Sequence, residues 1–152
     1  MGDCMRDNAL FRAGAMLVSC ALLGLVGVAA AADLIVTVDG LRNAKGTVRI
    51  EVDNSVSSWD DKSPPFASAA VKSATGSVLY TLKNVPPGAY GVAVYQDEND
   101  NDKLDMSFLG IPKEPFGFSN NPNLMRKPTF EEAHVDVAGK DVSIVIHLRT
   151  VL

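Results

Sequence analysis

The sequence predicts an all-β protein: a single antiparallel β-sandwich of about seven strands with one long loop, preceded by an N-terminal signal helix. Three observations predict it. Apolar and polar residues alternate with a period of two in short runs, as in "GTVRIEVD" (46–53) and "DVSIVIHLRT" (141–150). Such alternation marks strands with one buried face. Turn sequences such as "LRNAKG" and "VPPG" punctuate the runs, and Pro and Gly there supply the backbone angles that turns need. After residue 32 no helical pattern longer than a turn or two occurs.

The first 32 residues have a different character. Arg6 and Arg12 precede an apolar run from Ala13 to Ala32, which ends in "VAAAAD". A positive start, an apolar middle and a small-residue end make an export signal. Cleavage after Ala32, or one or two residues earlier, leaves a domain over 33–152 and a periplasmic or secreted product. Two alternatives stay open. The run is long enough to act as an uncleaved membrane anchor, and "LVSC" ending at Cys20 has the small residues that lipoprotein processing wants. Contact with the membrane would then come only through the retained segment or a lipid.

The remaining domain of about 120 residues can bury one core. Both cysteines, Cys4 and Cys20, lie in the signal, so no disulfide is available to the domain. The formal charge of −4 gives no support for nucleic-acid binding, which wants a basic patch.

Taken in order, "LIVTVDG" (34–40) and "GTVRIEVD" (46–53) read as a hairpin across "LRNAKG". "NSVSSWDDKSPP" (54–65) is a loop, followed by strands over 66–73 and 77–84. In "AYGVAVYQD" (89–97) the small Gly91 and Ala93 indicate that something packs closely on their face. Residues 97–132 form a long segment rich in turn residues, yet it carries Phe108, Leu109, Ile111, Phe116, Phe118 and Leu124. That apolar content predicts a segment folded back on the sheet. Strands over 133–139 and 141–150 end the chain.

The chemistry concentrates in "QDENDNDKLD" (96–105). Asp97, Asn99 and Asn101 place side-chain oxygens at alternate positions, matching the opening of the calcium-loop pattern. Lys103 would offer its backbone carbonyl, and Asp105 sits at the ninth-position ligand. Calcium, which takes six to eight oxygen ligands, suits a donor set without Cys or His. The match then departs from the pattern: Asp102 replaces its glycine and Phe108 its bidentate glutamate. Glu114 or Glu98 could supply that missing ligand. The competing reading is a solvated polar turn, for which Asp and Asn are equally suited.

Other candidates are fewer. Trp59 reads either as a cap over one end of the sandwich or as an exposed binding anchor. "FGFSNNP" (116–122) reads as an aromatic-anchored turn in which Phe118, Ser119 and Asn120 are a candidate ligand surface, and Ser119, Asn120 and Asn121 could bond polar ligands. His134 and His147 fall on polar strand faces, and no nucleophile elbow, metalloprotease motif or phosphate loop occurs. Adjacent carboxylates such as Asp97 and Glu98 point to opposite faces of a strand.

The order "NVPPGAYGVAVYQDENDNDKLD", "LGIPKEPFGFSNNP", "PTFEEAHVDV" resembles the bacterial exported family catalogued as domain of unknown function 2141, over about residues 33–150. The resemblance implies a small periplasmic or secreted β-sandwich, similar to transthyretin-like and carboxypeptidase-regulatory-like modules, whose "LPPGxYxV" strands are like "NVPPGAYGV". It also implies that Asp97, Glu98, Asn99, Asn101, Asp105, Gly110, Pro112, Glu114, Gly117, Phe118, Ser119 and Asn120 belong to the family's characteristic surface. These readings lead to the expectation of a non-enzymatic envelope module, with calcium in its acidic loop and an envelope glycan or protein as partner. The alternative is a hydrolase of envelope polymers with the acidic loop and Glu114 at its site.

Overall fold

Leu34, Val36 and Val38 are fully buried, while Ile35, Thr37 and Asp39, which alternate with them, are only half-buried, and this alternation runs the length of the first strand. The computed structural model describes residues 30–124 and 126–151. The expected signal segment, with Cys4, Cys20 and the anchor and lipidation alternatives, lies almost wholly outside the described residues. The elements are β1 (Ala32–Asp39), β2 (Thr47–Asp53), α1 (Val56–Trp59), β3 (Ala67–Lys72), β4 (Ser77–Val85), β5 (Gly88–Asp97), β6 (Phe116–Phe118), α2 (Phe130–Ala133), β7 (Val135–Val137) and β8 (Val142–His147).

The strands form two sheets, as the sequence predicts for a sandwich. One has the order β4-β1-β8 and the other β3-β2-β5-β6, with β7 paired to the start of β5. Val36, Val38, Ile146 and Val78 from the first sheet meet Val48, Ile50, Val52, Val92 and Val94 from the second in one core. All pairs are antiparallel except β1 with β8, which run parallel from Leu34 opposite Val142 to Asp39 opposite His147. No helix among the described residues is long and apolar enough to cross a membrane.

The expected β1–β2 hairpin does not form. The two strands lie in different sheets, and residues 40–46 cross between them. In a sandwich every strand buries one face, so alternation alone does not say which sheet a strand joins. The crossing is fixed by Gln96, which is fully buried. Its Oε1 accepts the Arg42 N–H at 3.0 Å, and its Nε2 donates to the carbonyls of Asn43 at 2.8 Å and Lys45 at 3.2 Å. Gly46 (φ +68°) follows, so close to β5 that a Cβ there would lie 1.8 Å from the Asp97 carbonyl oxygen.

Trp59 builds a second, smaller core on the outer face of β5. Phe118 and Phe130 pack against it, with ring centroids 5.8 and 6.3 Å away, and its indole N–H donates to the Pro128 carbonyl at 2.8 Å. A Cβ on Gly91 would stand 2.8 Å from the indole. The close packing expected at Gly91 is therefore Trp59, which covers a sheet face rather than an end of the sandwich.

The long segment divides in its behaviour. Phe116 and Phe118 return to the sheet as β6, opposite Tyr95 and Ala93. Phe108 and Leu109 do not fold back. A tight turn, with Gly110 N–H donating to the Ser107 carbonyl and Met106 bridged to Pro112, holds them at its tip, 96% and 69% exposed.

Candidate functional site

β5 carries its last residue, Asp97, into the protein, where the side chain is fully buried. A buried carboxylate needs partners, and the following turn supplies them. Asp97 Oδ1 accepts the Asn101 N–H at 3.0 Å. Its Oδ2 accepts the Asp102 N–H at 2.9 Å and Arg49 Nε–H at 3.3 Å. The pattern then repeats up the loop: Asn99 Oδ1 accepts the Asn101 N–H at 3.2 Å, and Asn101 Oδ1 accepts the Lys103 N–H at 2.9 Å. These are Asx turns, in which a side-chain oxygen captures an N–H two residues on.

The winding requires positive φ at Asp100 (+55°) and Asp102 (+63°). Asp and Asn tolerate that region better than other non-glycine residues. Asp102 thus adopts the backbone for which the calcium-loop pattern uses glycine.

Asp105 closes the ring. Its Oδ2 accepts from Asn99 Nδ2 at 2.8 Å and its Oδ1 from Asn101 Nδ2 at 3.0 Å. Four of the predicted residues, Asp97, Asn99, Asn101 and Asp105, are thereby brought into one hydrogen-bonded turn. Lys103 takes part through its N–H, and its side chain is exposed.

Glu114 lies beneath the turn, 4% exposed. Its Oε1 accepts the Glu98 N–H at 2.8 Å and its Oε2 the Asp105 N–H at 2.9 Å. It braces both ends of the loop through the backbone. Among the described residues no three His, Cys, Asp or Glu side chains are grouped to hold a metal ion. The oxygen donors grouped at the turn itself are two carboxylates and two amides.

Arg49, which the sequence does not single out, is the resident cation. It reaches Asp97 from β2 and also pairs with Asp102. Burial, then the charge of Asp97, pushes the neighbouring Tyr95 phenol above its usual range. Glu98 faces the other way and holds Arg42 at 3.3 Å and Asn43 Nδ2 at 2.7 Å.

The remaining candidates serve as clasps. Ser119 is fully buried: its Oγ accepts the Val92 N–H at 2.9 Å and donates to the Ala133 carbonyl. Asn120 (φ +63°) donates to the His134 carbonyl at 2.8 Å. Asn121 (φ +46°) exchanges hydrogen bonds with β8, donating to the Val145 carbonyl and accepting the His147 N–H. Trp59 and Ser119, as placed, offer no surface to a ligand; Phe118 is half-buried under Trp59 and Asn120 remains exposed.

The family description "Uncharacterized protein conserved in bacteria (DUF2141)" matches residues 36–145, which span the strands from β1 to β8 and the whole acidic turn. The chain belongs to that family. No curated protein and no solved structure matches it. The DUF2141 assignment brings no activity with it, so function has to be argued from the turn and the surfaces around it.

Proposed function

We propose that this DUF2141 chain is an exported, non-enzymatic module of the cell envelope whose 97–105 turn takes up a calcium ion. The observation that supports the reading is one turn that gathers Asp97, Asn99, Asn101 and Asp105, with the Asn99 and Asn101 amides donating to Asp105 and Asp97 accepting the Asn101 N–H, at the alternate spacing by which calcium loops assemble oxygen ligands. The Asn99 and Asn101 amide groups now satisfy Asp105 by hydrogen bonding. A divalent cation at the same point would do so with a full charge and would draw in backbone carbonyls and water.

The ion would order the segment that follows and steady its presentation to a partner, an envelope glycan or another envelope protein. Since Trp59 and Ser119 are committed to packing, the aromatic side chain on offer would be Phe108. Export rests on the sequence of the first 32 residues. Ala32 is buried as the first residue of β1, which favours cleavage before it over cleavage after it.

The test is the melting temperature of the purified domain in calcium, in magnesium and in chelator. Extracellular calcium modules bind with Kd of roughly 10⁻⁴–10⁻³ M. Saturation at about 100 times Kd would stabilise the native state by about 2.7 kcal/mol. Calcium should raise the melting temperature of the wild type and leave Asp97→Asn unmoved. An unchanged wild type in calcium at about 100 times the upper Kd, roughly 0.1 M, would leave a polar turn and overturn the reading.

A further inference from the structure

The outer face of the second sheet carries a groove of about 370 Å³, within the size range of small-molecule sites. Its walls and floor come from Arg49, Glu51, Ser68, Ala70, Ala93 and Tyr95. The register explains the hollow. Glu51 on β2 stands between Ser68 on β3 and Ala93 on β5, and Arg49 between Ala70 and Tyr95. Three of these neighbours are small, so the sheet is left uncovered between the Trp59 cluster, against which Ala93 packs, and the acidic turn at the Arg49 end.

The groove has a charge that nothing answers. Arg49 is already paired with Asp97 and Asp102. Glu51 has no hydrogen bond or ion pair among the described residues; burial, then the charges of Asp53 and Asp61, raises its carboxyl above the usual range, and Lys127 offsets them only in part. Asp53, two residues along on the same face of β2, is buried with Oδ1 unpartnered. The nearby ammonium of Lys127 is taken up by the Trp59 carbonyl and the indole face, 5.1 Å from its centroid. At this end of the groove Glu51 therefore stands as an unpaired carboxylate on a partly apolar hollow, with the Asp53 carboxylate buried beyond it.

We propose that this groove binds a small primary alkylamine, with its ammonium group on Glu51 and Ser68 and its alkyl body over Ala70, Ala93 and the ring of Tyr95. An ammonium group brings three donors and one charge, which suits one accessible carboxylate and one hydroxyl. A metal ion would find a single accessible carboxylate there. The alanines suit methylene groups, which gain by leaving water. The proposal does not depend on an ion in the acidic turn.

The experiment is an amide-resolved NMR titration of the domain, run both in calcium and in chelator. The probes are pentylamine, its uncharged analogue pentanol, and Nα-acetyl-lysine amide. Pentylamine should give saturable shifts at Ser68, Ala70 and Ala93 in both conditions, with pentanol weaker by about tenfold, the loss of one charge-assisted bond. Glu51→Gln should weaken pentylamine by a similar factor, and Ser68→Trp, which fills the hollow, should abolish the shifts. A lysine amide that binds more tightly than pentylamine assigns the amine to a polypeptide side chain; the reverse assigns it to a free amine. No saturable shift, equal binding of pentanol, or an unaffected Glu51→Gln variant with a native spectrum overturns the proposal.

Discussion

Glu114 Oε2 accepts the backbone N–H of Asp105 at 2.9 Å, while its other oxygen accepts that of Glu98 at 2.8 Å. One buried carboxylate thus ties together the two stems of the acidic turn, reaching back nine and sixteen residues along the chain. Truncating it in Glu114→Ala would strand both N–H groups, at about 1–3 kcal/mol each. Glu114→Gln keeps one acceptor and turns an NH₂ group towards the other N–H, so about half that loss is expected. Urea denaturation midpoints of the two variants check the order: Ala less stable than Gln, Gln less stable than wild type.

Gly46 is expected to tolerate no side chain. In Gly46→Ala the new Cβ would overlap the Asp97 carbonyl oxygen at a position of positive φ. The left-handed backbone alone costs about 1–2 kcal/mol for a residue with a Cβ, and the overlap must add to it by displacing β5. A melting temperature lowered by much more than a surface Gly→Ala change, such as Gly76→Ala, where nothing lies within 4 Å, is the expected result.

Asp53→Asn is expected to stabilise the protein at neutral pH. Burial raises the Asp53 carboxyl above its usual 3.8, so the unfolded chain gives up this proton at lower pH than the native state. Stability from this group is full below about 3.8 and falls as pH rises through the native value. The asparagine removes that penalty, by about 1 kcal/mol at pH 7. Its advantage over wild type should shrink to nothing near pH 4 in paired thermal melts.

Glu132 has the opposite sign. Arg126, then the Thr129 N–H, lowers its carboxyl from 4.5 to about 2, and it completes the capping box of α2 with Thr129. Its contribution is full above 4.5 and is lost as pH falls towards 2. Because Phe130 and Ala133 of that helix pack on Trp59, tryptophan emission should report the loss between those pH values. Glu132→Gln should flatten the titration.

The inner faces of β1, β2, β5 and β8 are legible in the sequence because a half-buried strand must alternate. The smallness of Gly91 and Ala93 likewise announces a close neighbour. What stays illegible is long-range. Nothing in the chain indicates that Gln96 pins residues 42–45 or that Arg49 reaches Asp97, since each contact joins residues about fifty apart. β6 is three residues long and gives too short a pattern to read. Trp59 sits among Ser, Asp and Pro, so its loop looks exposed, and only α2 and β6 arriving from beyond residue 115 bury it. Within the acidic turn the oxygen-bearing residues could be read directly, whereas the role of Glu114 as a brace depended on the path of the chain between them.

The parallel union of β1 with β8 sets the timetable by which the chain can acquire its shape. The opening strand keeps one flank bare until the closing one is delivered, more than a hundred positions later. Ordering so distant a pair is slow, and an unpaired margin of valine and leucine invites mispairing meanwhile. Until residues 142–147 arrive the sheet is therefore unfinished, and the flank left bare meanwhile is residues 34–38.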